Sequence, residues 1–243
     1  MLVGMIIAVK NHSKVADADV LAAVRAVNRQ IAEDFAPYWA LSGALRVVDR
    51  RAAPADADAI LRLTPRGHNF HWSPHGLPEA HVFTDLTDAT REAVPWLTWT
   101  SMLSHEAIEM MADPQLNTLV QGPHPGHTGR LVFHYQEVCD PVQSETYAID
   151  GVTVSNFVLP HYYNSMGEAG GRNDFLSTRL QAFRWNENGM IGFWDPHAGK
   201  RGAYVTWPQY ERNHLVAKQL RVKGASDRLQ RYAHPRFGGR RLR

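Results

Sequence analysis

Residues 105–109 (HEAIE) carry the residue types best suited to chemistry in this 243-residue sequence. In a helix, His105 and Glu109 lie one turn apart on the same face, with about 5–6 Å between their Cβ atoms. Two ligands at that spacing can hold one metal ion, while Glu106, about 100° further round the axis, can reach a water on that metal. The pattern is the H-E-x-x-H zinc helix with a carboxylate in place of the second imidazole. It predicts a metal-binding helix with Glu106 as general base.

The residues around this motif predict that the helix is buried. Apolar residues occur on nearly every side from Trp96 to Met111, and a helix that is apolar all round is a buried one. Three ionisable groups on a buried helix are costly unless they are paired or bound to a metal. A His/Glu pair on a surface helix would need no function, but that alternative fits poorly with the neighbouring tryptophans and methionines.

An acidic cluster downstream offers the third protein ligand that a catalytic zinc site normally has. Residues 135–141 (YQEVCDP) follow an apolar stretch and end in proline, which predicts a short element entering a turn. Glu137 is the preferred ligand because its longer side chain reaches further. Asp140 is either the alternative ligand or the acceptor that fixes the His105 imidazole. His134 is a further competitor, and an acidic turn without a metal is the alternative reading of the cluster.

Three residues after Pro160 are candidates for stabilising an oxyanion: His161, Tyr162 and Tyr163. His161 and Tyr162 are close in sequence to the glycine-rich stretch 167–171, the best candidate for a loop that borders a cleft. Tyrosine and histidine stabilise developing negative charge in zinc hydrolases. Aromatic packing beside the proline is the alternative role for all three residues.

Taken together, these motifs resemble a group of uncharacterised zincin-like proteins of bacteria and phages. That group has an S-H-E-x-x-E-x-x-x-D-P helix, here residues 104–114, and an E-x-x-D-P element, here residues 137–141, and the likeness continues through 147–158. Plant phosphate-induced (exordium-like) proteins show a more distant likeness. The resemblance runs from the first strand to about residue 205 and implies a zincin-like metalloprotease fold.

The resemblance also implies roles for individual residues. The metal ligands would be His105, Glu109 and one of Glu137 or Asp140, with Glu106 as general base. Glu109 stands where the best-understood zincins have a second histidine, which adds negative charge to the metal and weakens its Lewis acidity. Zinc is the expected ion, and manganese or another ion that tolerates oxygen ligands can compete.

The elements that position these residues follow an α+β order. A first strand over residues 1–10 precedes a helix capped by Asp17 and ended by Pro37, and the metal helix ends at Asp113-Pro114. Further strands are expected at 45–49, 59–64 and 81–84, and hairpins at 147–154, with an Asp150-Gly151 turn, and at 181–194, with a turn at 186–189. We expect a zincin-like domain over residues 1–205, with a small mixed sheet, the metal helix and the hairpins after it. A helical, basic extension over residues 206–243 follows.

Composition restricts the remaining possibilities. A net charge of +2 is too small to argue for a nucleic-acid partner of the whole chain, although the arginine-rich tail can contact phosphate backbones weakly. The commoner explanation of that tail is a solvated or docking extension. The single cysteine, Cys139, excludes an internal disulfide. Neither a signal peptide nor a membrane span is evident, so a cytoplasmic protein is expected, or one associated with a virion or other assembly.

Two classes of function follow from these observations. The first is a metal-dependent hydrolase, foremost a peptidase acting on a polypeptide, with Glu106 as the base. The second is a non-catalytic module of zincin-like fold that binds a protein partner in a larger phage-like or bacterial assembly. The intact Glu106 favours the first class, and the carboxylate at Glu109 favours the second.

Overall fold

The computed structural model describes residues 4–65, 77–85, 96–164, 171–198 and 202–208, which form a mixed α+β protein with small sheets and few helices. The helices are α1 (Asp17–Arg29), continued by a π-helical segment (Gln30–Phe35) and by α2 (Ala36–Trp39), and α3 (Trp99–Ala112). The strands are β1 (Met5–Asn11), β2 (Gly43–Val48), β3 (Ala59–Thr64), β4 (Glu79–Phe83), β5 (Leu119–Pro123), β6 (Leu131–Tyr135), β7 (Thr146–Ile149), β8 (Val152–Ser155), β9 (Ile191–Asp195) and β10 (Ala203–Trp207).

The N-terminal strands form a parallel sheet in the order β2-β1-β3-β4. The described strands of this sheet are all parallel, so they do not form the mixed sheet expected from the sequence, and the described antiparallel strands belong to other sheets. The physical reason is that β1 and β2 are joined through α1 and α2, and a crossover of this length returns the chain in the parallel direction. One face of this sheet packs on the helices through Ile7, Val9, Leu61 and Leu63, all of which are fully buried.

The first helix begins and ends differently from the prediction. Ala16 is the N-cap, so Asp17 is the first helical residue rather than the cap. The helix also does not end at Pro37, because the chain continues as a π-helical segment and then as α2, where this proline occupies the first turn. Pro37 lies at the junction between the two differently wound segments, directly after the last π-type hydrogen bond, from Ala36 N to Ile31 O. Ala40, with φ 53°, ends the helix in the left-handed conformation.

Helix α3 is buried, as predicted. It begins with a capping box in which Thr98 Oγ1 accepts from Ser101 N at 3.0 Å and Ser101 Oγ accepts from Thr98 N at 2.9 Å. Its C-terminal end is fixed by Asp113, whose carboxylate accepts from the backbone N–H groups of Asn117 and Thr118. The helix packs against β8, β4, β3 and α1. Local capping and burial on several sides together position the predicted metal-binding motif.

The β7–β8 hairpin is confirmed. Asp150 and Gly151 have φ of 51° and 78°, the left-handed conformations that a tight two-residue turn of this kind requires. The turn predicted at residues 186–189 is present, because Gly189 N donates to Asn186 O at 2.8 Å. The hairpin around it is wrong, because β9 pairs with β6 and β10 rather than with the residues before it. Residues 186–190 instead bond to the turn at 140–142, through Asn186 N to Pro141 O and Met190 N to Asp140 O.

Some expectations fall at the limits of the described residues. Residues 165–170, most of the expected glycine-rich loop, lie outside them, as does the extension from residue 209 onward. The expected domain boundary at 205 falls inside β10, which ends at Trp207. None of the described helices has the length and apolar character needed to cross a bilayer.

Candidate metal centre

Helix α3 brings its two predicted ligands together. His105 Nε2 lies 3.2 Å from Glu109 Oε2, and both side chains are mostly buried. Glu106 is also buried, at 6% exposure. The i, i+4 spacing thus produces the geometry predicted for it, with two ligand atoms converging on one flank of the helix.

The acidic element downstream lies against the same flank. Asp140 Oδ1 is 3.5 Å from His105 Nε2, and the backbone N–H of Cys139 donates to Glu109 Oε1 at 3.2 Å. Glu137 joins Glu109 and Asp140 in a buried group whose carboxylate oxygens lie within 4.8 Å of one another. Both candidates for the third ligand are therefore present, and the choice between them stays open.

The turn that carries these acids is held in place by backbone hydrogen bonds. Val158 N donates to Val138 O at 2.7 Å, and Met190 N donates to Asp140 O at 3.0 Å. Asp140 to Val142 forms a single 3₁₀ turn beginning directly before Pro141. Because other segments bond to the backbone at residues 138 and 140, the carboxylates of Glu137 and Asp140 have little freedom to move away from α3.

Cys139 is a potential ligand that the sequence analysis did not identify. The thiol is fully buried and forms a second group with His105 and Glu109, again with ligand atoms within 4.8 Å of one another. Its position between two acids in the E-x-x-D element was the available signal, since thiolate sulfur is among the ligands zinc uses most.

The spacing of these atoms fits a shared ion. Zinc–nitrogen and zinc–oxygen bonds of about 2.0–2.2 Å place two tetrahedral ligand atoms about 3.4 Å apart. The two contacts of His105 Nε2, at 3.2 and 3.5 Å, are close to that separation. A direct N–H···O hydrogen bond is usually about 2.7–3.2 Å long, so the contact to Asp140 is longer than such a bond.

The charges of the cluster act strongly on its titratable groups. Burial by itself lowers the pKa of His105, but the charge of Glu109 and the contact with Asp140 together raise that pKa well above its ordinary value. Burial raises the pKa of the Cys139 thiol well above its ordinary value, and the charges of Glu109, Asp140 and Glu106 add to the increase. The electrostatic potential at the site is therefore strongly negative, which favours the binding of a cation.

A chain of buried hydrogen bonds holds α3 beside β8 at the residue before His105. Ser104 Oγ donates to Gln30 Oε1 at 2.6 Å and accepts from Ser155 N at 3.0 Å. Gln30 Nε2 in turn donates to Ser155 O at 2.8 Å and to the Tyr147 hydroxyl at 3.0 Å. Helix α3 is thus linked to both the π-helical segment and the β7–β8 hairpin.

The aromatic residues predicted to stabilise an oxyanion differ in their surroundings. The Tyr162 hydroxyl already donates to Arg184 O at 2.8 Å, and the ring of His161 lies against Gly171. The hydroxyl oxygen of Tyr163 is buried and has no hydrogen-bond partner among the described residues. Burial raises the pKa of Tyr163 well above its ordinary value, and the charges of Glu137 and Glu109 contribute. Tyr163 is therefore the better-placed donor of the three.

His134, the other competitor for the metal, is engaged elsewhere. Its Nε2 donates to Pro123 O at 3.0 Å, and its ring packs against Phe183 and Phe193. Burial lowers the pKa of His134 to about 4. This histidine is a neutral core residue of the antiparallel sheet rather than a member of the cluster.

Comparison with known proteins adds no relative: neither a protein-family model, nor a curated protein, nor a solved structure matches this chain. The resemblance to zincin-like proteins thus stays a prediction.

Proposed function

We propose that this chain is a metal-dependent hydrolase of zincin-like fold. The observation that carries the proposal is the convergence of His105 Nε2 with Glu109 at 3.2 Å and with Asp140 at 3.5 Å. Glu137 lies in the same buried cluster and is the alternative third ligand. Buried carboxylates of this number are costly unless cations compensate them. A divalent ion, zinc foremost, provides that compensation at the observed spacing.

The chain's own residues have distinct roles in this proposal. A bound zinc ion would supply the Lewis acidity that makes a water molecule a nucleophile near neutral pH. Glu106, on the same helix but not at the ligand spacing, accepts the proton of the attacking water. The buried Tyr163 hydroxyl stays protonated and donates a hydrogen bond to the oxygen that gains negative charge during attack.

A polypeptide is the proposed substrate. Among the described residues, β4 is the last strand of the parallel sheet, and α3 packs against it. An edge strand can bind an extended peptide through its main-chain N–H and C=O groups. The position of this edge beside the metal helix supports peptidase activity over the hydrolysis of a small molecule.

One observation favours a second candidate function, a metal-stabilised module without turnover. Glu109, Glu137 and Asp140 are each at most 3% exposed, which is more typical of a closed structural site than of an open catalytic one. In this case the ion would stabilise the contact between α3 and the 140–142 turn. The module would then act by binding a protein partner.

Metal analysis combined with an activity assay tests these proposals. Protein purified without added metal should contain about one divalent ion per chain, and His105→Ala should contain none. His127→Ala is the matched control because this exposed histidine lies outside the cluster. Cleavage of an unstructured protein by the wild type but not by Glu106→Gln supports the hydrolase. A bound ion without cleavage supports the module, and the absence of a bound ion contradicts both.

A further inference from the structure

A row of basic side chains crosses the parallel sheet on the face opposite the helices. Lys10 on β1 pairs in register with Arg62 on β3, and Arg62 with His81 on β4. Side chains of neighbouring residues alternate between faces, so these three lie on the other side from Val9, Leu63 and Val82, which contact the helical core. This cluster belongs to the opposite face of the sheet from α3.

Arg62 is fixed by contacts on two sides. Its Nε and Nη2 contact the Glu79 carboxylate at 2.6 and 3.3 Å, and its Nη1 lies 3.1 Å from His12 Nε2. A guanidinium can only donate, so His12 must accept with a neutral ring. Burial lowers the pKa of His12, and the positive charge of Arg62 lowers it further. The guanidinium is therefore rigid, and its charge is compensated by Glu79.

Lys10 is not compensated in this way. The residue is 5% exposed, and its ammonium group donates to the carbonyl oxygen of Ala52 at 2.5 Å. Within the described ranges no carboxylate forms an ion pair with it. An ammonium group has three N–H donors, and a buried charge is costly unless an opposite charge is near. Lys10, Arg62 and Glu79 thus leave a net charge of about +1 at a buried position.

The location of the row is suited to ligand binding. Lys10 and Arg62 lie in the second halves of β1 and β3, and His81 lies at the middle of the adjacent β4. Ligands of open α/β sheets bind towards the carboxyl edge of the strands. The Arg62 and His81 side chains keep 23% and 22% of their surface exposed, so the row can be reached from solvent. Glu79 orients these two residues by contacting both.

We propose that Lys10, Arg62 and His81 form a binding site for an oxyanion, a phosphate or carboxylate group of a ligand, separate from the metal centre. The anion supplies the negative charge that Lys10 lacks, and the prepositioned guanidinium of Arg62 orients it. His81, whose Nε2 contacts Glu79, adds a further donor when its ring is protonated. The proposal does not depend on the metal or on hydrolysis.

Titration of the full-length protein tests this site. Metal-free protein is titrated with sodium phosphate and, in parallel, with sodium acetate at constant pH and ionic strength, using chloride as the salt control. The melting temperature and the heat of binding are measured. We expect a saturable increase in melting temperature with at least one oxyanion and none with chloride. The oxyanion with the lower Kd identifies whether phosphate or carboxylate is the natural group.

Substitutions locate the site. Lys10→Met removes the charge at similar length and should weaken binding about tenfold or more, as expected for a lost charged hydrogen bond. Lys14→Met removes the same charge from an exposed loop position and should change the Kd less than about twofold. Equal effects of the two variants, or no saturable effect in the wild type, would overturn the proposal. If Lys10→Met does not fold, His81→Gln decides, since unchanged affinity there also overturns it.

Discussion

Replacing Ser104 by alanine should destabilise the protein more than any exposed serine substitution does. The hydroxyl donates to Gln30 Oε1 at 2.6 Å and accepts from Ser155 N at 3.0 Å, and all three residues are at most 2% exposed. Its removal leaves one buried acceptor and one buried donor without that partner, and each such group costs about 1–3 kcal/mol. We therefore expect a loss of about 2–6 kcal/mol in the free energy of unfolding.

Urea unfolding of the metal-free protein measures this loss without a contribution from a bound ion. Ser144→Ala is the control, because that serine makes a single exposed hydrogen bond to Glu187 O and should cost about 0.5–1 kcal/mol. Zinc affinity is the second measurement, since Ser104 precedes His105 and fixes the helix that carries it. If the free energy of unfolding of Ser104→Ala differs from that of the wild type by less than about 0.5 kcal/mol, the hydrogen-bond chain does not hold α3 in place.

Four further predictions follow from the cluster and its surroundings. Free zinc at a hundredfold excess over its Kd should stabilise the protein by about 2.7 kcal/mol. A chelator should therefore lower the melting temperature of the wild type by about 5–10 °C and leave that of His105→Ala unchanged. An unchanged melting temperature in the wild type would show that no ion contributes to stability. Glu106→Gln should retain the metal while cleavage falls about 10²–10⁴-fold, because the amide cannot accept a proton; equal cleavage rates would exclude Glu106 as the base. Glu109→His removes one negative charge next to the metal and should preserve or increase cleavage. Loss of both cleavage and bound metal in this variant would contradict that expectation. His134 has its pKa lowered from 6.5 to about 4 by burial, so its neutral form stabilises the fold above pH 6.5, and about 3 kcal/mol of that stability should be lost as the pH falls to 4. Urea midpoints against pH should show a shallower decline for His134→Gln than for the wild type.

The parts of the site that sequence predicted are those set by local spacing. His105 and Glu109 converge because helical geometry fixes residues four apart, and the apolar flanks correctly indicated a buried helix. The turn at Asp150-Gly151 was equally local, since few residue pairs adopt two left-handed conformations in succession. Both predictions needed only residues that lie close together in the sequence.

The parts that were missed depend on contacts between distant segments. The hairpin expected over residues 181–194 fails because Asn186 and Met190 bond to the turn at 140–142 instead of to a partner strand. The parallel direction of the strands in the first sheet follows from the helical connection between β1 and β2. Hydrophobic periodicity identifies strands but does not give the direction in which they pair. Cys139 was overlooked because its partners, His105 and Glu109, are 30 or more positions away in the sequence.

The π-helical segment explains how one helix serves two different neighbours. Val27, Ile31 and Phe35 repeat every four residues, and in an α-helix each step of four rotates the side chain about 40° further round the axis. The wider π winding cancels this rotation, and all three side chains are at most 1% exposed. A π turn contains about one residue more than an α turn, so the segment accommodates an additional residue within a continuous helix. The residues before the segment keep one side of the helix against the parallel sheet. Gln30 and Asp34, within the segment, instead face the β7–β8 hairpin, where both form hydrogen bonds with the Tyr147 hydroxyl.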